Sequence, residues 1–288
     1  MIKFWITTRP APGMTRERFD YEWGVIHTSL MVTTPSVLNG SFVRYVQHRA
    51  LGAGAGLATA LFPAPAEGWY SIADHSCRSY DDVLASVGAP DYRRRIFPHR
   101  FSDAAMVVEL TGCEVLHDAT PARPAAGGVK LVNHVRRLPG VRQRDFAGWW
   151  RDEYAPLLVE LGTRSAALRR YVQNPALDLD PGFFAGTLFE LGHTGTYAGI
   201  DELWFADAPA YTRFAADDDG RERLGRAARG WLDPHRSFGM VVVERVVFDF
   251  LAALPDGAPA VRDPASVEFA MLASERADGD WTTPQPAT

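Results

Sequence analysis

The chain has 288 residues, of which 47% are hydrophobic and 23% charged, and its formal net charge is −5 with a pI near 5.9. That balance supplies ample material for a packed core and excludes a globally disordered chain. It leaves no basic footprint for nucleic acid, and no run approaches the roughly 18 uninterrupted apolar residues that a membrane span needs.

The length suits one large domain or two of about 130 residues. Ile2–Thr8 is a short apolar and β-branched run that predicts a strand. It follows the start directly, without the charged and apolar segments of a signal peptide. Arg9–Gly13 is a Pro/Gly turn, and Thr15 is placed to cap the helix that follows. At 100° per residue, Phe19, Trp23, Ile26 and Leu30 form one apolar stripe, and His27 falls about 80° from Phe19, at the edge of the helix–sheet interface, half-buried. Phe42–His48 predicts a second strand, and the Gly/Ala/Pro-rich Ala50–Gly68 a long mobile loop. Trp69–Cys77 predicts a third strand, Ser79–Arg95 a helix and Ala104–Val115 a fourth strand. The order is β-α-β-β-α-β, a ferredoxin-like unit.

The chain then repeats itself. Lys3/Lys130, Arg9/Arg136, Pro12/Pro139, Gly13/Gly140, Phe19/Phe146, Trp23/Trp150 and Leu30/Leu157 match at one offset of 127, and RYVQ occurs at Arg44–Gln47 and at Arg170–Gln173. An internal repeat of this length reads as a duplicated structural unit. The second copy predicts strands at Lys130–Arg136, Leu168–Gln173, Ile200–Phe205 and Met240–Phe250, with helices at Gln143–Leu161 and near Ala208–Gly230. The divisions are then 1–117 for repeat 1, 118–128 for a linker, 129–250 for repeat 2 and 251–288 for a C-terminal extension. His27 in the first copy is Tyr154 in the second.

The first strand, the Pro-Gly turn, the F-x3-W-x3-H pattern of Phe19, Trp23 and His27, RYVQ, ELWF at Glu202–Phe205 and the valine-rich last strands ending near Glu109 and Glu244 resemble the EthD family. The resemblance covers about 2–117 and 129–250. It implies the dimeric α+β-barrel fold: two ferredoxin-like βαββαβ repeats packed sheet to sheet, here as an intramolecular α+β barrel. It also implies cofactor-free chemistry on hydrophobic, aromatic or polyketide-like compounds, with His27 at the family's helix histidine.

An imidazole beside a pocket suits proton transfer near neutral pH; equally, it can pack at a helix–sheet edge. Tyrosine titrates near 10, so the second copy reads as degenerate in chemistry, keeping the fold or holding ligand. Asp74 and Glu202 align on the third strands, where acids are unusual; Asp74 could orient His27, or either could meet a core arginine. His75 faces Leu203 in the alignment and reads as a second pocket group or a surface residue. Trp5, Trp23, Tyr45 and Trp69 line an aromatic cavity or fill a core. Thr7 aligns with His134, and His48 with Asn174, so polar groups could enter the cavity from strands one and two.

Other patterns are bland. His99 and His235, each in PHR, read as structural turns; GAGAG at Gly52–Gly56 lacks a phosphate-loop context; and DDDG at Asp217–Gly220 lacks a calcium ligand set. Cys77 and Cys113 lack metal-ligand spacing and read as buried thiols in a reducing cytoplasm. No metal or cofactor is expected. The expectation is therefore a cytoplasmic, cofactor-independent lyase of decarboxylase or dehydratase type. His27 and Asp74 carry the acid–base chemistry, with Trp5, Thr7, Trp23, Tyr45, His48, Trp69, His75, Tyr154 and Glu202 around the substrate. A cofactor-free monooxygenase and a non-catalytic small-molecule-binding protein are the alternatives. Neither nucleic acid nor membrane is an expected partner; a homodimer stays open, since a closed barrel can still pair through an outer face.

Overall fold

The computed structural model describes residues 1–39, 41–51, 57, 59–96, 100–119, 128–192, 194–251 and 260–261. In the first half β1 (Ile2–Thr8) leads into α1 (Arg16–Tyr21), a π-helical turn (Glu22–His27), α2 (Thr28–Met31) and α3 (Pro35–Leu38). Then come β2 (Phe42–Ala50), β3 (Ser71–Cys77), α4 (Tyr80–Val87), α5 (Pro90–Arg95), β4 (Val107–Thr111) and β5 (Glu114–Asp118). The second half follows the same plan: β6 (Val129–Val135), α6 (Gln143–Trp149), a π-helical turn (Trp150–Tyr154), α7 (Ala155–Arg164), β7 (Leu168–Pro175), β8 (Gly199–Phe205), α8 (Ala208–Ala215), α9 (Asp218–Ala227) and β9 (Phe238–Asp249). A short β10 (Ala260–Val261) pairs with β9.

The strands run in the order β4-β1-β3-β2-β9-β6-β8-β7-β5, with antiparallel pairing throughout. Each half thus has its last strand beside its first and its second at the edge. Closure comes from the last strands. β9 pairs with β6 through Phe238–Val242 and with β2 through Val242–Asp249. β4 pairs with β1, and its continuation β5 pairs with β7 in the other half. Each half therefore lends its last strand to its neighbour, and the two sheets close as one α+β barrel.

Three expected elements are interrupted. The run Ala104–Val115 steps between β4 and β5 at Gly112–Cys113, where the chain crosses from its own sheet to the other. The helix over Ser79–Arg95 breaks before Pro90, whose missing N–H starts a new helix. The helix over Ala208–Gly230 breaks where the Asp217 side chain accepts from Gly220 N at 2.9 Å and caps α9, which explains DDDG as a solvated cap.

The long loops are straps. Ala60 and Phe62, in the loop expected to be mobile, pack into the core of the second half, and Gly239 N donates to Pro63 O at 2.9 Å. Reciprocally, Phe184 and Phe189 of the β7–β8 loop pack onto Phe4 of β1 at centroid distances of 5.4 and 5.0 Å. The Gly52–Gly56 motif, His99, most of the linker and nearly all of the extension lie outside the described residues. His235 sits in an exposed turn, Cys77 is buried, and Cys113 is exposed at the β4–β5 step, contrary to expectation. Among the described residues no helix is long and apolar enough to cross a membrane.

Candidate functional site

Alternation along the strands sorts the expected site residues into three places rather than one. On β1, Trp5 joins Trp69, Ile72 and Val132 inside the barrel, whereas Phe4 and Ile6 pack under the helices of the first half. On β3, Asp74 faces into the barrel, whereas His75 stacks flat on Tyr45 under the helices, at 4.5 Å and 5°. Trp5, Thr7, His48, Trp69, Asp74 and Glu202 belong to the barrel interior; Trp23, His27, Tyr45 and His75 to the helix layer of the first half; and Tyr154 to that of the second.

The interior carries a buried ion-pair network built from matched positions of the two repeats. Lys3 Nζ lies 2.5 Å from Glu202 Oε1 and 3.3 Å from Asp74 Oδ2. Lys130 Nζ lies 2.5 Å from the other Glu202 oxygen and 2.9 Å from Glu244. Arg44 reaches Asp249 at 3.4 Å, Glu244 at 3.7 Å and Asp74 at 3.9 Å, and Asn174 donates to Glu202 at 2.9 Å. Burial pushes the Asp74 carboxyl up, and Lys3 only partly offsets it. Burial acts on Glu202 in the same sense, but Lys130 and Lys3 outweigh it and hold that carboxylate well below its usual range. His48 stacks on Trp5 at 6.1 Å, and burial, with Lys130 nearby, keeps its ring neutral.

His48, Asp74 and Glu202 bring donor atoms within 4.8 Å of one another, a spacing that could hold a metal ion. Both lysine ammonium groups already rest on Glu202, so a divalent cation there would meet two positive charges in a low-dielectric interior. The residues fit an ion-pair network better than a metal centre. Asp74 therefore does not orient His27; the two lie on opposite faces of the sheet.

The helix layer of the first half holds a different arrangement. His27, His75, Thr8, Ser71, Trp23 and Tyr92 line one small cavity of about 10 Å³, with Phe101 against the His27 ring at 5.3 Å. His27 is only 6% exposed rather than half-buried at the helix edge. The reason is the π-helical turn, whose wider i→i+5 winding departs from 100° per residue and carries the imidazole inward. A π-turn leaves backbone carbonyls without their helical partners, and RYVQ supplies one. Gln47 Nε2 donates to Trp23 O at 3.1 Å, to Thr28 Oγ1 at 3.0 Å and to the Tyr45 hydroxyl oxygen at 2.8 Å. One side chain thus ties the turn bearing His27 to the ring on which His75 stacks. Arg245 of β9, in the other half, donates to Gly24 O in the same turn. His75, read from sequence as a pocket or surface residue, is 2% exposed.

The second half repeats the frame with other chemistry. Gln173 Nε2 donates to Trp150 O at 2.9 Å and to the Tyr171 hydroxyl oxygen at 2.8 Å. Tyr154 replaces His27, Leu203 replaces His75, and Asp201 stands where the first half has Ala73. Asp201 accepts from Asn133 at 2.6 Å, and burial pushes its carboxyl up to about 8. Burial, with Asp201 nearby, keeps the Tyr154 hydroxyl protonated.

Lys3, Lys130, Arg44, Glu244 and Asp249 were not singled out as site residues. Their signal was present as charges at alternate strand positions, matched between repeats in the case of the lysines. Asp201 and Asn133 had no such signal, because only the second repeat carries them.

Residues 138–235 match the EthD domain family. This match lies in the half that has Tyr154, so the reading of His27 rests on the cavity. Solved structures share the fold. An anthrone oxidase-like protein aligns with a TM-score of 0.52 at 13% identity, covering 85% of this chain and 92% of its own. A candidate monooxygenase from Fusobacterium nucleatum subsp. nucleatum aligns with a TM-score of 0.51 at 6% identity, covering 85% of this chain and 93% of its own. No curated protein sequence matches this chain.

Proposed function

We propose that the chain is an enzyme performing general acid–base chemistry on a hydrophobic aromatic or polyketide-like small molecule at the His27–His75 cavity. The observation that carries this reading is that two imidazoles from different elements line one small cavity whose other walls are aromatic, aliphatic (Ile6, Ala73) or hydroxyl side chains. Two imidazoles can serve as base and acid in the same turnover. A lyase reaction uses both. In a dehydration one removes a proton from carbon while the other protonates the departing hydroxyl, and water leaves. In a decarboxylation the electrons of the broken C–C bond stay on carbon, an imidazolium delivers the proton there, and carbon dioxide leaves. The cavity, about 10 Å³, has room for no more than about one water, so substrate binding requires a wall such as Phe101 or Trp23 to move aside.

The names of the two fold neighbours favour a second reading with the same first step. Proton removal from an activated carbon leaves a carbanion, and dioxygen rather than a proton then accepts its electrons. Assay of His27→Ala and His75→Ala tests both readings. Turnover lost with binding retained supports the proposal, and an unchanged rate in both variants refutes it. Repeating the assay without dioxygen separates them, since only the oxygenase stops.

A further inference from the structure

The second half holds a cavity that the proposed chemistry does not use. It has a volume of about 320 Å³ and lies between α9, the Ala60–Phe62 strap of the first half and the π-turn carrying Tyr154. That volume falls at the lower end of the range for small-molecule pockets. Phe62 and Leu224 form apolar walls, and Tyr154 lines the pocket with them. The Tyr154 hydroxyl takes no hydrogen bond among the described residues, although the residue is 3% exposed and its proton is retained across the working pH range. A ligand acceptor atom entering the pocket would meet the Tyr154 O–H as a hydrogen-bond donor. Arg221 and Arg229 also line the cavity, and Arg229 is exposed and makes no ion pair among the described residues.

We infer that this pocket binds an apolar organic anion, its hydrocarbon body against Phe62 and Leu224, its charged group on Arg229, and an acceptor atom on Tyr154. Apolar walls, the Tyr154 hydroxyl and a guanidinium that makes no ion pair among the described residues together select that class over a neutral hydrocarbon or a metal ion. The site shares no residue with the His27–His75 cavity, so its fate is independent of the function proposed above. The second repeat is then a binding half rather than a mere filler of the barrel.

Fluorescence titration with 1-anilinonaphthalene-8-sulfonate, compared with the uncharged N-phenyl-1-naphthylamine of the same skeleton, tests this. The full-length protein should bind one equivalent of the sulfonate. Arg229→Ala should weaken the sulfonate about tenfold, as for a charged hydrogen bond, and the neutral probe less than about twofold. Gly225→Phe should abolish binding of both, because a Cβ at Gly225 meets nothing within 4 Å and the added ring can enter the pocket. If Gly225→Phe does not fold, Arg229→Ala decides alone. Absence of saturable sulfonate binding, or sulfonate affinity unchanged in Arg229→Ala, overturns the inference.

Discussion

Thr7 and His134 share a hydrogen bond of 2.9 Å inside the barrel, and they are the two residues that the sequence repeat places at one position. Equivalent residues can touch only beside an approximate twofold axis, so this pair marks where the two halves meet. Burial pushes the His134 ring down to about 3, and its Nδ1 has no hydrogen-bond partner among the described residues. The ring is neutral when folded, whereas unfolded it titrates at its ordinary 6.5. A depressed value contributes stability that is present above pH 6.5 and lost as pH falls towards 3. Replacing His134 by Gln should therefore flatten acid destabilisation, narrowing the loss between pH 7 and pH 4 by about 3 kcal/mol in urea melts.

Gln47 and Gln173 satisfy the same kind of π-turn carbonyl in the two halves. Trp23 O keeps the Thr28 hydroxyl at 3.2 Å and Trp150 O keeps the Ala155 N–H as donors, so Gln47→Ala and Gln173→Ala should each cost about 0.5–1.5 kcal/mol, the net value of a hydrogen bond removed. Only Gln47→Ala should also depress turnover, since only that turn carries His27. Equal activity in both variants, measured at a temperature where both are folded, would separate the motif from the proposed site.

Within the barrel the carboxylates are unequal. Glu202 receives both lysines, whereas Asp74 has one ion pair to Lys3 at 3.3 Å, a longer one to Arg44 and a raised titration point. Glu202→Gln leaves two ammonium groups short of charge and should cost about 3–5 kcal/mol. Asp74→Asn should cost less than Glu202→Gln, because burial already raises the Asp74 titration point and only one lysine rests on it. Chemical denaturation at pH 7 compares them directly.

Asp201 gives the opposite pH dependence to His134. Its folded value near 8 lies above the ordinary 3.8, so the unfolded chain releases the proton first. Stability from this group is present below about pH 4 and is lost as pH rises towards 8. Glu109, also pushed up to about 8 by burial, acts in the same window. Asp201→Asn should leave stability at pH 4 unchanged and raise it at pH 8 by about 1–3 kcal/mol. Thermal melts at the two pH values give the comparison.

The element order and the repeat at offset 127 were enough to foresee two ferredoxin-like units, whereas the barrel was foreseen only through the resemblance to the EthD family. The facing of their side chains was not legible, because strands such as β1 and β3 are covered on both sides. With no solvent face, polar and apolar residues do not alternate, and Asp74 and His75 read as one pocket although they point apart. His27 was misplaced for a different reason: a π-turn has no signature in a 100° periodicity. RYVQ stood out as identical in both copies, but its tie to the π-turn carbonyl is a long-range contact visible only in three dimensions.

The proposed acid–base chemistry needs His27 and His75 and not Asp74, which faces the barrel interior. The direct test is solvent-deuterium exchange into a panel of aromatic carbon acids, anthrone among them, followed by proton NMR without dioxygen for the wild type, His27→Ala, His75→Ala and Asp74→Asn. The wild type should accelerate exchange into at least one member. His27→Ala should lose that acceleration by about 10²-fold or more, and Asp74→Asn should keep it within about threefold. Exchange abolished in Asp74→Asn but retained in His27→Ala, or no acceleration with any carbon acid, would contradict the account.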